Sequence, residues 1–341
     1  MTGRCSNPGA ATTARKRSRS SWLELGSCAR RSSQETSVRR FRSTFVSLLV
    51  LGAVLAPEEV FAQACCAAAS AVTPARLSRG ERVLVGTELR VQAVVGSYGA
   101  DGRYSAAPQG ASETGFAESL LIAARVTQRL QLAGVVPWQE TRRVTPNRAE
   151  LGGGFGDLNL GARYDFVQQD EHRRWPGVAL LAGISFPVGR PPELARGPLA
   201  TDATGIGAFQ LHAAAALEKR FGHWLVGATG LLAQRLPRSV GGTDTTLGTQ
   251  FSGLINASYL FLNLAAVAAQ ASWSSEGDAT IDGAKQRNTG RSVLNLGASG
   301  VVPLSPRVRL QTSLFFTPPA SSLGRNQNAV AGATVAALFV F

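Results

Sequence analysis

Alternation at every second residue constrains this chain more than any other feature. In 156–166, Leu158, Leu160, Ala162, Tyr164 and Phe166 share one face of an extended strand, and Asp157, Asn159, Gly161, Arg163 and Asp165 share the other. A helical period is almost absent after residue 80. Twelve segments read as strands: 82–96, 116–126, 130–139, 156–166, 177–188, 206–217, 223–233, 247–259, 261–273, 292–302, 307–317 and 328–341. In the ninth the alternation breaks, which reads as a bulge.

The connections between these strands alternate in length. Long ones cover 97–115, 140–155, 189–205, 234–246, 274–291 and 318–327, and short ones 127–129, 167–176, 218–222, 260 and 303–306. Strict alternation with an even strand count is what a closed antiparallel barrel with both termini at one end requires. In lipid every backbone polar group must be paired, so a sheet that crosses a membrane must close on itself. The expected fold is therefore all-β: a transmembrane antiparallel outer-membrane β-barrel of about twelve strands over 81–341, preceded by a disordered leader. Trp138, Tyr164, Phe166, Trp224, Tyr259, Phe261 and Phe341 fall near strand ends, where aromatic girdles belong.

The chain ends AALFVF. An aromatic, uncharged, alternating tail is an aggregation hazard unless another strand covers it. In a barrel it pairs with the first strand. A final phenylalanine resembles the recognition signal of outer-membrane barrels, which implies that Phe339 and Phe341 are read by the barrel-assembly machinery.

The first 64 residues read as a leader. Arg39, Arg40 and Arg42 precede an apolar run at 45–56, and Ala62 and Ala64 hold the small-residue positions before a cut after Ala64. Residues 38–64 thus have the form of a cleaved signal peptide. The run has twelve residues, short of the ~20 a spanning helix needs. Residues 1–37 are Ser-rich and aperiodic, and translation starting near Val38 is one reading of them. Residues 65–80 are left as a short N-terminal periplasmic segment, with entry into the lumen as an alternative. A lipoprotein box at Cys65 lacks its usual leucine, and the surroundings of Arg39-Arg40 fit a twin-arginine signal poorly.

The formal charge of +13 suggests nucleic acid, but its distribution does not. A disproportionate share is in the leader, the rest is spread thinly, and no basic helix or zinc-finger spacing occurs. Nucleic acid is therefore not an expected partner, whereas outer-membrane lipid is. Four cysteines, two of them adjacent, offer neither a disulfide framework nor a zinc site.

Polar residues on the inward alternation are the candidate lumen lining: Arg125, Asp157, Asn159, Arg163, Asp165, His212, Gln250, Asn256, Arg309 and Gln311. Around them the lumen is mild, with Leu121, Val135, Leu181 and Leu231 among alanines, glycines and serines. General porins carry opposed rows of charge instead. Three histidines, His172, His212 and His223, were weighed for catalysis. None has a serine ten residues on along its strand, and none sits in His-x-Ser. Gly152-Gly153-Gly154 lacks the lysine and helix of a phosphate cradle. No catalytic residue, metal or cofactor is expected.

GGGFGDLNLGARYDF at 152–166, continuing to LLAGISFPVGR at 180–190, resembles the outer-membrane family named after the phenol meta-degradation pathway. Gly154, Gly156, Asp157 and Gly161, then Phe186, Pro187 and Gly189, carry the likeness, with VPW at 136–138 before them. The resemblance implies a barrel that transports hydrophobic compounds. Passive passage of small hydrophobic solutes is the expected function. A structural or surface-interaction barrel is the alternative, and a barrel enzyme is third.

Overall fold

The computed structural model describes residues 76–78, 80–168, 175–240, 242–261 and 265–341. His172 and the leader lie outside them. Twelve strands form one closed antiparallel sheet: β1 (Val83–Tyr98), β2 (Ser112–Arg125), β3 (Leu130–Thr145), β4 (Leu158–Val167), β5 (Gly177–Phe186), β6 (Gln210–Phe221), β7 (Trp224–Arg235), β8 (Gln250–Phe261), β9 (Ala265–Glu276), β10 (Arg291–Ser305), β11 (Val308–Phe316) and β12 (Gln327–Val340). Each pairs with its chain neighbours, and β12 pairs with β1. This is the expected all-β transmembrane barrel. No helix among the described residues is long and apolar enough to cross a membrane.

Closure is made at the tail. Val85 opposes Phe339, and the Phe341 carbonyl accepts the amides of Arg82, at 2.7 Å, and Val83, at 3.1 Å. The rings of Phe339 and Phe341 stand on the outer surface. So do Leu89, Val91, Leu120, Ile122, Leu211, Ile255 and Leu314. An apolar surface of this extent is stable only against hydrocarbon. Aromatic pairs mark both ends of the band. Tyr164 with Phe166, at 4.8 Å, and Trp224 with Tyr259, at 5.2 Å, lie where the short turns are. Trp138 with Phe155, at 5.0 Å, and Phe251 with Trp273, at 5.9 Å, lie where the long loops are.

The strands depart from the sequence expectation at the loop end. β3 runs on to Thr145 and folds back as a hairpin, Arg148–Phe155, where a long loop is expected. β9 contains no bulge and pairs with β8 without interruption from Gln250–Glu276 to Phe261–Ala265. The register shifts fall instead at Val94/Gly96, Asp165/Val167 and Pro303/Ser305. Alanines on both faces explain the broken alternation of β9: Ala266 and Ala268 face inward, against Leu260 and Val301, and Ala265, Val267 and Ala269 alternate with them, so the period-2 contrast vanishes.

Candidate lumenal site

At the turn end the lumen is filled. Leu84, Leu121, Ala123, Ala133, Val135, Ala336, Leu338 and Val340 pack inward around Leu77, which is 1% exposed. Leu77 belongs to the segment entering β1, and that segment is strapped across the barrel by polar side chains. Arg125 on β2 donates to the carbonyls of Leu77 (2.9 Å), Ser78 (3.1 Å), Glu81 (3.0 Å) and Gln128 (2.9 Å). The Leu77 amide donates to Gln131 Oε1 at 3.2 Å. Glu81 pairs with Arg309 on β11, and Arg76 pairs with Glu218 on β6. Strands on opposite sides of the barrel thus hold the two ends of one short segment.

Arg163 and Asp165 belong to the same network. Arg163 Nε lies 2.9 Å from Asp165 Oδ1, and its Nη2 lies 3.4 Å from Glu218 Oε1. Gln131 Nε2 reaches Asp165 at 3.4 Å. The side chains of Arg163, Asp165 and Glu218 are at most a tenth exposed. Burying charge costs several kcal/mol per ion unless each is paired and hydrogen-bonded. Here each buried charge has its partner.

A second network climbs the wall towards the loop end. Arg235 on β7 donates from Nε to Gln210 Oε1 and from Nη2 to Gln250 Oε1, both at 2.8 Å, and pairs through Nη1 with Glu276 at 2.8 Å. A guanidinium can only donate, so both glutamine oxygens are acceptors and both amide nitrogens must donate onward. Gln210 Nε2 lies 3.3 Å from His212 Nδ1 and 3.4 Å from its Nε2. His212 Nε2 lies 2.7 Å from Ser185 Oγ, and Ser185 donates in turn to Asn159 Oδ1. Asn159 closes the line on the Asp157 carbonyl at 3.0 Å. On the other arm, Gln250 Nε2 donates to Ser252 (3.2 Å) and Ser274 (3.0 Å). Gly183, opposite His212 on β5, leaves the lumen beside the imidazole clear.

Asn256 is buried over Gly227, where a Cβ would stand 2.5 Å from its Oδ1; its Nδ2 has no partner among the described residues. Gln311 faces the lumen from β11 between its neighbours Val301 and Ala336. On the wall beyond, Arg90 lies over the Phe315 ring at 4.9 Å.

Asp157 sits elsewhere. It precedes β4, and its carboxylate accepts the amides of Gly189 (3.0 Å) and Ile206 (2.8 Å), pinning both ends of the long loop after β5. Thr204 Oγ1 donates to the Phe155 carbonyl at 2.6 Å and accepts the Arg190 amide at 3.1 Å. Gly189 and Gly205 touch backbone to backbone, where a Cβ on Gly189 would meet Gly205 Cα at 2.7 Å. The sequence motif around Gly156-Asp157 and Phe186-Pro187 is therefore a loop-folding device. Asp202, in this loop, is held below the usual carboxylate range, first by the Arg196 amide and then by Arg190.

The structure brings Asn159, His212 and Gln250 into one hydrogen-bonded line, and Arg125, Arg163, Asp165 and Arg309 into the strap network. Sequence reasoning missed Ser185, Gln210, Glu218, Arg235 and Glu276. It also missed Glu88, Arg90 and Gln92 on β1. Ser185 and the three β1 residues lie on the polar phase of an alternation whose apolar phase was read, so their signal was present, whereas Glu218, Arg235 and Glu276 lie where connections were expected and the strands run on.

No family model matches the chain, and no curated protein matches it. Among solved structures, an outer-membrane channel from Pseudomonas putida F1 superposes with a TM-score of 0.63 at 14% identity, over 76% of this chain and 96% of that one. The two share a fold. The KdgM porin, solved with disordered oligogalacturonate, gives a TM-score of 0.41 at 9% identity over 76% and 99% of the two chains. The CymD monoaromatic hydrocarbon channel gives 0.36 at 8% identity over 76% and 89%. Both likenesses are looser.

Proposed function

We propose that this protein is an outer-membrane channel that passes small, hydrophobic molecules passively, with no cofactor and no catalysis. One observation carries the reading: apart from Glu88 and Arg90 on β1, the charges brought together on the lumen wall are paired with one another. Arg163 meets Asp165 and Glu218, Arg235 meets Glu276, and Arg143 meets Glu113 at 2.8 Å. What remains towards the lumen is mainly alanine, serine, glycine, leucine and amide. Such a wall offers no opposed charge rows to orient ions and little penalty to an apolar solute. The resemblance to the phenol meta-degradation family and the fold shared with an outer-membrane channel support the same role. In this reading 38–64 is the cleaved signal peptide, the short turns face the periplasm, and Phe341 is the signal read by the assembly machinery.

Catalysis is the one competing reading with a specific observation behind it, since Ser185, His212 and Asn159 meet in space. Their proton order opposes it. Ser185 donates its one hydroxyl proton to Asn159 rather than to His212, so His212 is not placed to act as its general base.

Liposome uptake with refolded 65–341 tests the proposal. Entry of an uncharged aromatic, faster than into protein-free liposomes, is expected. Equal rates with and without protein would overturn it.

A further inference from the structure

We propose that the lumen wall between β5 and β9 holds a binding site for uncharged, mainly apolar molecules that carry one hydrogen-bond acceptor. This deepens the channel reading above and names the solute class of one site within it. A cavity of about 250 Å³ opens there. Leu181, Ala214, Leu231 and Leu254 form its apolar floor, and Gln250 and Ser274 its polar edge. Leu181 and Ala214 are cross-strand partners that pack with Leu231, so the floor is preformed.

Proton order sets what the edge can recognise. Arg235 fixes Gln250 Oε1 as an acceptor, so Gln250 Nε2 gives its hydrogens to Ser252 and Ser274. Ser252 also donates to Ser274, at 3.3 Å. Ser274 thus accepts twice, while its own hydroxyl hydrogen has no acceptor among the described residues. The spare group at the edge is a hydroxyl donor on a half-buried residue that faces the cavity, free to bond a solute. A carbonyl or ether oxygen on the solute satisfies it. Charge is excluded on a separate ground. The cation nearest the network, Arg235, is already matched by Glu276, so an anion entering here loses its hydration without gaining a free counter-charge. The apolar floor accepts the rest of the molecule.

The test is equilibrium binding to refolded 65–341 in detergent micelles, read by ligand-observed NMR with micelle-only controls. The probes are acetophenone, ethylbenzene and benzoate. They share a ring and differ in acceptor and charge. Saturable binding of acetophenone is expected, with ethylbenzene about fivefold to tenfold weaker and benzoate not binding. Ser274→Ala is expected to bring acetophenone down to the level of ethylbenzene and leave ethylbenzene unchanged. Leu231→Trp is expected to abolish both by filling the floor, with heat-dependent gel mobility reporting that the barrel still folds. Equal binding of acetophenone and ethylbenzene, unmoved by Ser274→Ala, would overturn the acceptor recognition. No saturable binding of either, or binding that Leu231→Trp leaves intact, would overturn the site. Uptake into liposomes is measured on the same samples. Uptake without binding sinks the site and spares the channel, and binding without uptake does the reverse.

Discussion

Arg163 Nη2 and Glu218 Oε1 meet at 3.4 Å inside the barrel although 55 residues separate them in the chain. Glu218 also receives Arg76, so one carboxylate ties the β4 wall to the segment that crosses the lumen. Replacing it removes the Arg76 pair and one of the two carboxylates that meet Arg163, which keeps Asp165. Glu218→Ala is expected to cost about 3 kcal/mol of barrel stability, the low end of the range for removing one partner of a buried pair, because Arg163 stays compensated. Urea unfolding in detergent measures it. A loss below 1 kcal/mol would mean that water already reaches the network.

Arg125 holds the crossing segment by three backbone carbonyls. Arg125→Ala frees Leu77, Ser78 and Glu81 together, and Leu77 is then held only by its packing and by Gln131. Planar-bilayer recordings are expected to show a larger and noisier conductance for this variant than for the parent. Identical traces would show that residues 76–81 do not limit the pore.

Ser185 and His212 are read as structural. Purified protein is expected to hydrolyse neither a short-chain nitrophenyl ester nor phospholipid, and Ser185→Ala is expected to lose only about 1 kcal/mol of stability, the worth of a hydrogen bond. Ester hydrolysis by the parent that disappears in both Ser185→Ala and His212→Ala would reverse the assignment.

Asp157 pins two amides of one loop. Asp157→Ala leaves both donors short of a partner, at about 1–3 kcal/mol each if they stay buried. The loop is expected to open while the barrel persists. Limited proteolysis reads the first as new cleavage within 187–209, and heat-dependent gel mobility reads the second. Resistance equal to that of the parent would show that Thr204 and the paired glycines suffice.

Asp202 adds a pH dependence to the same loop. Its carboxyl is held below the ordinary value of 3.8. A depressed carboxyl contributes stability that is fully present above its unfolded value and is lost as pH falls through the folded one. Hydrogen exchange of 190–206 is therefore expected to be flat with pH from neutral down to about 4, once the intrinsic rate is allowed for, and to gain protection loss below it. In Asp202→Asn that acid-induced loss is expected to shrink. An unchanged acid response would place its cause in another carboxylate.

How far the chain could be read in advance follows from the kind of contact involved. Strand faces depend on each residue's parity within its own strand, which is local. Hence Leu158, Leu160 and Tyr164 could be placed together on one face of an extended strand from 156–166 alone. Closure was legible for a similar reason, because a tail such as AALFVF has to be paired and the alternating connections leave β1 to pair it.

Partners across strands were not legible. Ser185 meets His212, and Arg235 meets Gln210 and Gln250, only because register is set by turn lengths and bulges accumulated around the barrel. A search for catalytic spacing along one strand passed over Ser185 for that reason. Asp157 shows the opposite limit. It shares the parity of Arg163 and Asp165, but it lies just before the strand, and the backbone amides of a distant loop take its carboxylate. Alternation in the sequence determined the barrel, its lipid face and its closing tail, because those follow from burying every second side chain and pairing every backbone group. The filled turn end, the direction of each hydrogen bond and the cavity floor were decided only by the tertiary structure, because each needs side chains from strands that the chain itself keeps far apart.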